Sequence, residues 1–380
     1  MVRGLFWLSA ALLGWTQAGY GLLLALLARG RDPAQPQPVP AGAEPRVALI
    51  VAAHREEAVI EAKVADALAL DWPRERLEVV VAVDGGGEPG ADATARLARS
   101  AGADVVLELP RGGKMRAQDA GVEATRGDLL AFSDANTTWA PDALRELAGA
   151  FADPEVGYAC GQVRFVDAGG TNQEGLYWRY ELWLRARESS LHSVTAGNGG
   201  IYAVRRDDYI EADPPMGHDL AFPFRMVKRG RRAVYVSRAR AAEPMVPSIE
   251  GEWERKRRMM NRAWRILRIS GLADLRGYPP LYAVMIVSHR LLRYASPFLH
   301  VVALVTAVPL ARRPGGPVYR TALAGQLALL AAAAAGGAVR SRPLLIARYY
   351  VLTTASIAAG LHDHLRHGTP AGWDAAPGTR

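Results

Sequence analysis

Residues 47–84 decide the fold, because they read as a strand, a helix and a second strand in succession. VALIVAA at 47–53 is a continuous β-prone run, a helical pattern extends from Glu56 to Leu70, and LEVVVAV at 77–83 is an apolar run that ends at Asp84. Further helical patterns follow at 91–101 and 112–124, and strand patterns at 105–109 and 128–132. This alternation predicts an α/β domain with a Rossmann-like, mostly parallel sheet, in which ligands bind at the carboxyl ends of the strands.

Apolar runs on both sides of this domain are long enough to cross a bilayer. No charged side chain lies between Gly4 and Ala28, and a run of this length spans a hydrocarbon layer of ~30 Å. It exceeds the apolar core of a cleaved signal peptide, so we interpret residues 1–30 as a retained transmembrane anchor. Three further runs, at 295–311, 321–339 and 343–361, predict three transmembrane helices over residues 295–361, with Arg348 able to snorkel to an interface. Buried helices of a soluble core are the alternative.

The segments between these parts have their own composition. Five prolines predict an extended linker over residues 31–45, so the soluble domain occupies residues 46–248. Residues 250–268 carry seven basic side chains interleaved with Trp, Met, Ile and Leu, which is typical of an amphipathic helix at a lipid headgroup surface. A solvated basic helix is the alternative. The segment 280–294 is also amphipathic, so we predict interfacial helices over residues 249–294 and a tail over 362–380.

Composition excludes several classes of protein. Of the 380 residues, 50% are hydrophobic and 22% charged, which argues against disorder. The single cysteine, Cys160, excludes a disulfide framework and a multi-cysteine metal site. The net charge of +8 indicates an anionic partner. Because the basic cluster adjoins the apolar runs and no nucleic-acid recognition motif is present, we expect membrane lipids or a phosphorylated substrate and no nucleic acid.

Two turns have the chemistry to hold a nucleotide. Asp84 ends a strand and is followed by three glycines, so its carboxylate could reach a ribose or base, although turn formation alone also explains this sequence. Gly112-Gly113-Lys114 combines glycines that let the backbone approach a phosphate with a helix N-terminus and a positive charge. The chain uses 42 arginines but only four lysines, so a lysine at 114 goes against its bias and favours a phosphate role.

Two acidic motifs complete the set. In Ser133-Asp134-Ala135-Asn136 the side chains of Asp134 and Asn136 project to the same side, and Mg²⁺ or Mn²⁺ prefers such oxygen ligands when it bridges a diphosphate. An Asx turn that caps a helix near Pro141 is the alternative. Asp219 could act as a general base on an acceptor hydroxyl with His218 beside it, whereas a lone histidine is more typical of a structural role.

With these motifs in this order, residues 45–300 resemble the family 2 glycosyltransferases, in particular membrane-bound bacterial members similar to polysaccharide synthases. The resemblance implies the fold of a nucleotide-diphospho-sugar transferase. Arg55-Glu56-Glu57 stands where the family has a nucleoside-binding Asn-Glu-Glu, and Asp134-Ala135-Asn136 stands where it has a metal-binding Asp-x-Asp. The asparagine is a departure, because it offers an oxygen without charge. The resemblance assigns metal binding to Asp134 and Asn136, and donor binding to Glu56, Asp84, Gly113, Lys114, Ser133 and Asp134.

The acceptor side is assigned in the same way. The resemblance makes Asp219 the catalytic base and places acceptor contacts at Gly199, Gly200, Tyr202, His218, Arg255, Arg258 and Trp264. The Gln/Arg-x-x-Arg-Trp element of processive members is only loosely matched by Arg255, Arg258 and the displaced Trp264, which puts processivity in doubt.

The function implied is inverting transfer of a hexosyl or N-acetylhexosaminyl group, dependent on Mg²⁺ or Mn²⁺, from a nucleotide-sugar donor to a membrane-associated glycan or lipid. Such transfer belongs to envelope or extracellular polysaccharide biosynthesis, with export-machinery subunits as candidate partners. Because nucleotide sugars are cytoplasmic and loop charges do not fix orientation, we expect a bacterial inner-membrane protein whose catalytic domain faces the cytoplasm. The alternatives are transfer of one sugar to a polyprenyl phosphate or other lipid, and a catalytically silent membrane scaffold.

Overall fold

The structure is a computed structural model that describes residues 1–30, 36–166, 174–211, 213, 216–246, 248–314, 316–339 and 341–370. The start of the predicted linker, residues 31–35, and the end of the predicted tail, residues 371–380, lie outside the described residues.

The chain begins with one continuous helix, made of α1 (Val2–Gly14), a π-helical turn (Trp15–Gly19) and α2 (Tyr20–Leu27). The α/β domain follows with β1 (Val47–Ala53), α3 (Ile60–Leu68), β2 (Leu77–Asp84), α4 (Thr94–Ser100), β3 (Val105–Leu109), α5 (Lys114–Glu123), β4 (Leu129–Asp134), β5 (Thr138–Trp139), α6 (Ala143–Gly149), β6 (Val156–Val166), α7 (Glu174–Leu191), β7 (Tyr202–Arg205), α8 (His218–Lys228) and β8 (Arg232–Pro244). The remaining helices are α9 (Ile249–Ile269), α10 (Pro280–Ile286), a second π-helical turn (Val287–Leu291), α11 (Leu292–Ala311), α12 (Pro317–Ala335) and α13 (Arg342–His367). Short 3₁₀ turns lie at Arg74–Arg76, Ala150–Ala152 and Arg206–Asp208.

One eight-stranded sheet has the order β3-β2-β1-β4-β7-β6-β8-β5. Strands β1 to β4 are parallel, β7 runs antiparallel to both of its neighbours, and β8 is parallel to β6. Ala52 of β1 pairs with Ala82 of β2 on one side and with Asp134 of β4 on the other. Asp84 and Asp134 therefore both lie at the carboxyl ends of the two strands that flank β1. The predicted α/β fold with a mostly parallel sheet is confirmed.

The core lies on both faces of the sheet, as the unbroken apolar runs predict. Every residue of β1 is buried. Leu49 packs into a cluster with α6, whereas the adjacent Ile50 packs into a second cluster with Phe132 and Phe222. Strands that are covered on both faces are continuous apolar runs rather than alternating ones. Each fully buried Leu or Ile contributes about 1.5–3 kcal/mol to folding.

Four helices are long and apolar enough to cross a membrane, among the described residues: Val2–Leu27, Pro280–Ala311, Pro317–Ala335 and Arg342–His367. Their outer faces carry exposed large side chains, including Leu8, Leu22, Val301, Val305 and Leu327. These helices agree with the predicted anchor and three C-terminal spans.

The segment 280–294 differs from its prediction as a helix on the membrane surface. It is the first half of the continuous helix Pro280–Ala311. Tyr282, Met285 and Ile286 are buried in a cluster with Phe224 and Leu272. Its apolar face therefore packs against the α/β domain, which explains the amphipathic pattern without a lipid surface.

Candidate functional site

Asp84 holds the glycine-rich turn that precedes α5. Its Oδ1 accepts hydrogen bonds from the backbone N–H groups of Gly112 (2.6 Å) and Gly113 (2.9 Å), and its Oδ2 accepts one from the guanidinium of Arg111 (2.9 Å). Gly113 has φ +94°, a conformation that favours glycine. The carboxylate is thus buried and engaged by the turn, and a contact with the nucleoside stays a prediction.

An open cleft lies beside Asp84 at the carboxyl ends of β1 and β2. Its lining includes His54, Arg55, Gly85 and Glu88. Arg55 has φ +55°, the one positive value among the non-glycine residues that the structure describes, and such strain is concentrated at ligand-binding sites. The neighbouring Glu56 is buried, and its backbone N–H donates to Thr94 Oγ1 (2.9 Å). An open recess therefore lies next to the predicted phosphate turn.

Lys114 and Asp134 meet although 20 residues separate them. Lys114 is the first residue of α5 and its ammonium forms an ion pair with Asp134 Oδ1 at the end of β4. The Asp134 side chain is 30% exposed, whereas Ser133 is buried. The fold therefore unites the predicted phosphate turn with the predicted metal motif.

Two residues that the sequence did not single out for the site brace the turn after Asp134. The ammonium of Lys63 donates to the carbonyl of Thr137 (2.7 Å) and pairs with Asp66 (3.2 Å). Asp66 in turn accepts the backbone N–H of Trp139 (3.1 Å). Burial lowers the pKa of Lys63, while the carboxylate of Asp66 opposes that change. The signal available in the sequence was the rarity of lysine, since Lys63 is one of only four.

Glu243, near the end of β8, is a further carboxylate that sequence reasoning missed. Its Oε1 accepts a hydrogen bond from the hydroxyl of Thr137 (2.8 Å). Burial and then the negative charge of Asp134 raise its pKa to about 7. The carboxylates of Glu243 and Asp134 therefore lie close enough to interact electrostatically. No local sequence pattern indicates this role for Glu243.

The loop at 195–200 connects the donor side to the predicted base. The backbone N–H of Gly197 donates to the carbonyl of Asp219 (2.6 Å). A Cβ at Gly199 would lie 3.8 Å from both Asp134 Oδ2 and Lys114 Nζ. The loop thus passes from Asp219 to the Lys114–Asp134 pair within three residues.

Helix α7 fixes this loop through buried charges. Arg185 donates to Asn198 Oδ1 (2.6 Å), and Glu188 accepts from the backbone N–H of Thr195 (3.1 Å). The same carboxylate accepts the hydroxyl of Tyr20 (2.5 Å) and bonds to His289 Nδ1 (2.6 Å). One residue from each of the helices Val2–Leu27 and Pro280–Ala311 therefore binds Glu188, which in turn holds Thr195 at the start of the loop.

Asp219 and His218 open helix α8 but face different surroundings. Asp219 is partly exposed; burial lowers the pKa of Arg262 on α9, and the negative charge of Asp219 opposes that change. His218 is buried and its Nδ1 bonds to the hydroxyl of Tyr202 (2.6 Å). Burial and the ammonium of Lys114 hold the pKa of His218 well below its usual range, so its ring is neutral. Asp219 is thus the accessible group of the pair.

The predicted acceptor residues on α9 have separate environments. Glu252 binds the guanidinium of Arg255 through two contacts (2.7 and 2.8 Å), and Arg258 is exposed. The indole of Trp264 donates to the carbonyl of Ile357 (2.8 Å) and packs near Tyr294. Trp264 therefore ties α9 to the C-terminal helices, and its acceptor role stays a prediction, as do those of Tyr202 and His218.

The side chains at this site supply only part of the ligands that a divalent cation needs. Among the described residues, no group of three or more His, Cys, Asp or Glu side chains gathers into a metal site. Asp134 and Glu243 supply carboxylates, and Asn136, two residues after Asp134, is partly exposed. Oxygen donors fit Mg²⁺ or Mn²⁺, which take further oxygens from phosphates and water. The site thus fits a divalent cation that arrives with a diphosphate.

Comparisons with known proteins agree with this geometry. The model of the family described as Glycosyl transferase family 2 matches residues 48–212. An N-acetylglucosaminyltransferase of Rhizobium meliloti (strain 1021) is 28% identical over 272 residues, 66% of this chain and 62% of that protein. A β-monoglucosyldiacylglycerol synthase of a Synechocystis species is 30% identical over 215 residues, 52% of this chain and 42% of that protein. The chain therefore spans less than two thirds of these curated relatives.

A solved structure extends the likeness to nearly the whole chain. The mannosyltransferase PcManGT from Pyrobaculum calidifontis, in complex with GDP-Man and Mn²⁺, has a TM-score of 0.69 at 22% identity, covering 96% of this chain and 99% of that one. At that identity the likeness concerns the fold. The comparisons therefore identify residues 48–212 as a glycosyl transferase family 2 domain, and the fold of nearly the whole chain is that of a solved glycosyltransferase.

Proposed function

We propose that the protein transfers a hexosyl or N-acetylhexosaminyl group from a nucleotide-diphosphate donor to a hydroxyl of a membrane-associated glycan or lipid, with inversion at the sugar carbon. The observation that carries this proposal is the loop at 195–200. The backbone N–H of its Gly197 donates to the carbonyl of Asp219, and a Cβ at Gly199 would lie 3.8 Å from both Lys114 Nζ and Asp134 Oδ2. A base and a charged phosphate site are therefore separated by a short glycine-rich segment.

The roles follow from the charges. Asp219 accepts a proton from the acceptor hydroxyl, which attacks the anomeric carbon, and one displacement inverts that carbon. The ammonium of Lys114 leaves Asp134 for the departing diphosphate and stabilises its negative charge. When bound at Asp134, Mg²⁺ or Mn²⁺ supplies additional positive charge to the leaving group. The cleft beside Arg55 and Gly85 holds the nucleoside, and Glu56 and Asp84 maintain its walls.

The relatives support the chemistry at the level of their names. They transfer N-acetylglucosaminyl or glucosyl groups, and the mannosyltransferase structure contains GDP-Man and Mn²⁺. These facts support a nucleotide-sugar donor and a divalent cation. We infer Mn²⁺ or Mg²⁺ without distinguishing them.

A membrane-associated acceptor is supported by the surroundings of Asp219. Leu220 and Ala221, which follow it, are buried in one cluster with Ala263 of α9 and with Tyr282 and Ile286 of the helix Pro280–Ala311. The proposed base thus lies where the α/β domain meets the candidate membrane spans. Since nucleotide sugars are made in the cytoplasm, we propose an inner-membrane protein with this domain on the cytoplasmic side. A role in envelope or extracellular polysaccharide synthesis fits that placement.

Addition of a single sugar to a polyprenyl phosphate or other lipid is the second candidate. The observation that favours it is Trp264, whose indole donates to the carbonyl of Ile357 and so binds the C-terminal helix α13. A processive enzyme should yield long glycans, whereas a single-addition enzyme should yield one defined lipid, and mass spectrometry of the products distinguishes them.

The test compares the full-length protein with Asp219→Asn. Purified in lipid nanodiscs with a panel of nucleotide sugars, membrane lipids and Mn²⁺ or Mg²⁺, the wild type should release nucleoside diphosphate from one donor. The variant should lose at least about 100-fold in rate, as loss of a general base does. The exposed Asp207→Asn is the matched control and should retain the rate. Absence of turnover with every donor would support a silent scaffold, and full activity of Asp219→Asn would exclude this base.

A further inference from the structure

The metal motif has one charged member, because Asn136 offers an oxygen without a negative charge. The strand β8 brings another carboxylate beside this motif. Thr138 and Trp139 of β5 pair with Ala242 and Ala241 of β8. The end of β8, with Glu243, consequently runs alongside the turn that follows Asp134.

The contacts of Glu243 place its carboxylate at the same loop as Asp134. Its Oε1 accepts the hydroxyl of Thr137 (2.8 Å), and a Cβ at Gly200 would overlap that oxygen. A Cβ at Gly199 would lie 3.8 Å from Asp134 Oδ2. Since Gly199 and Gly200 are consecutive, the two carboxylates border one short segment that carries no side chains.

A positive charge already stands at this place. The ammonium of Lys114 pairs with Asp134, so one carboxylate of the site is neutralised by a cation from the chain itself. The guanidinium of Arg255, on helix α9, forms two hydrogen bonds with the carboxylate of Glu252. When Lys114 moves to a diphosphate, its ammonium no longer balances the carboxylates of Asp134 and Glu243 beside the Gly199-Gly200 segment, which favours a bound cation.

We propose that Glu243 is the second carboxylate ligand of the divalent cation and supplies the charge that Asn136 lacks. Asp134 and Glu243 then provide two protein oxygens, and phosphate and water oxygens complete the coordination that Mn²⁺ or Mg²⁺ requires. This inference rests on the proposed glycosyltransferase function, because the diphosphate comes from the donor.

Binding of Mn²⁺ alone and with UDP or GDP tests the inference directly. Full-length protein in nanodiscs is titrated while electron paramagnetic resonance follows the signal of free Mn²⁺. Glu243→Gln should weaken Mn²⁺ binding at least about tenfold in the presence of the preferred diphosphate, equivalent to about 1.4 kcal/mol. Asn136→Asp in the Glu243→Gln background should restore most of that affinity, since it returns a carboxylate to the site.

The matched control is Glu146→Gln. It removes a buried carboxylate on α6 that pairs with Arg238 of β8, the strand that carries Glu243 (2.9 Å), and it should leave Mn²⁺ binding unchanged. Circular dichroism and thermal melting report whether the variants fold, and Glu243→Asp keeps a carboxylate if Glu243→Gln does not fold. Its Mn²⁺ affinity should then lie below that of the wild type and be raised by Asn136→Asp.

The outcomes separate this inference from the function on which it rests. Unchanged Mn²⁺ affinity in a folded Glu243→Gln protein overturns the inference, and sugar transfer that depends on Asp219 would still support the function. Sugar transfer by the wild type without any divalent metal would likewise overturn the inference and still support the function. Absence of transfer with every donor overturns the proposed function itself, whatever the affinity for Mn²⁺.

Discussion

The carboxylate of Glu188 accepts both the backbone N–H and the hydroxyl of Thr195, each at 3.1 Å. Thr195 begins the loop that reaches Asp219 and Asp134, so a buried charge on α7 sets the starting point of the loop. Tyr20 and His289 bind the same carboxylate from the first and second membrane-length helices. The position of the 195–200 loop is thereby coupled to the packing of the membrane-length helices.

Removal of this carboxylate should destabilise the protein. Glu188→Ala leaves the hydroxyl of Tyr20 and the N–H of Thr195 buried without their acceptor, and we expect a loss of about 3 kcal/mol in the free energy of unfolding. Thermal unfolding in detergent, followed by tryptophan fluorescence, measures it. Arg179→Ala changes an exposed residue of the same helix and should cost less than about 0.5 kcal/mol. Equal melting temperatures for the two variants would contradict the role of Glu188.

Two glycines of the loop should respond differently to alanine. A methyl group at Gly197 would overlap the hydroxyl of the fully buried Tyr158, whereas one at Gly199 meets Asp134 and Lys114 only at 3.8 Å. Gly197→Ala should therefore lower the free energy of unfolding by about 1–3 kcal/mol, as overpacking does. Gly199→Ala should melt close to the wild type. A milder effect of Gly197→Ala than of Gly199→Ala would show that the loop lies elsewhere.

Lys114 should determine the affinity for the diphosphate. Lys114→Met removes the ammonium at the start of α5, and loss of a hydrogen bond to a charged group costs about 1.5–3 kcal/mol. We expect the Kd of UDP or GDP to rise about 10- to 100-fold in isothermal titration calorimetry with Mn²⁺ present. Arg126→Met removes an exposed charge beyond the other end of α5 and should leave the Kd unchanged. An equal change in both variants would indicate only a general effect of net charge.

Asp119 should make stability depend on pH. Burial raises its pKa to about 6, although the hydroxyl of Tyr209 donates to it and opposes the rise. The folded protein therefore retains this proton while the unfolded chain loses it, and the associated stability is present below about pH 4 and lost as the pH rises through 6. Asp119→Asn should melt at a higher temperature than the wild type at pH 7.5, with a clearly smaller difference at pH 4.5.

Asp128→Asn is the control for that experiment. Burial acts to raise the pKa of Asp128, but hydrogen bonds from Arg46 hold it below its ordinary value. This carboxylate is ionised at both pH values, so the variant should be less stable than the wild type at both. A pH-independent gain in Asp119→Asn would contradict the raised pKa.

The first half of the α/β domain could be predicted because its signals are local. Buried parallel strands such as Val47–Ala53 are unbroken apolar runs, and β3 was placed with the same bounds as in the structure. Glycine turns and acidic residues at the strand ends marked Lys114 and Asp134 as site candidates. That these two residues lie close together could be inferred because the carboxyl ends of parallel strands lie on the same side of a sheet.

The supporting residues could not be predicted, because their partners are distant in sequence. Helix α7 mixes Glu, Arg and Trp on faces that are buried only after the C-terminal helices pack, as the contact between Glu188 and His289 shows. Glu243 lies 106 residues from Thr137, its hydrogen-bond partner. Such pairings depend on tertiary structure and leave no periodic pattern.

The first helix packs against residues that are synthesised long after it. Phe6 packs against Ala307 and Leu310, and the indole of Trp15 donates to the hydroxyl of Ser288 (2.9 Å). A ribosome makes Phe6 and Trp15 before the α/β domain and makes their partners only after it. The first helix therefore waits, surrounded by lipid or by helper proteins, until the domain and the residues through Leu310 have been synthesised.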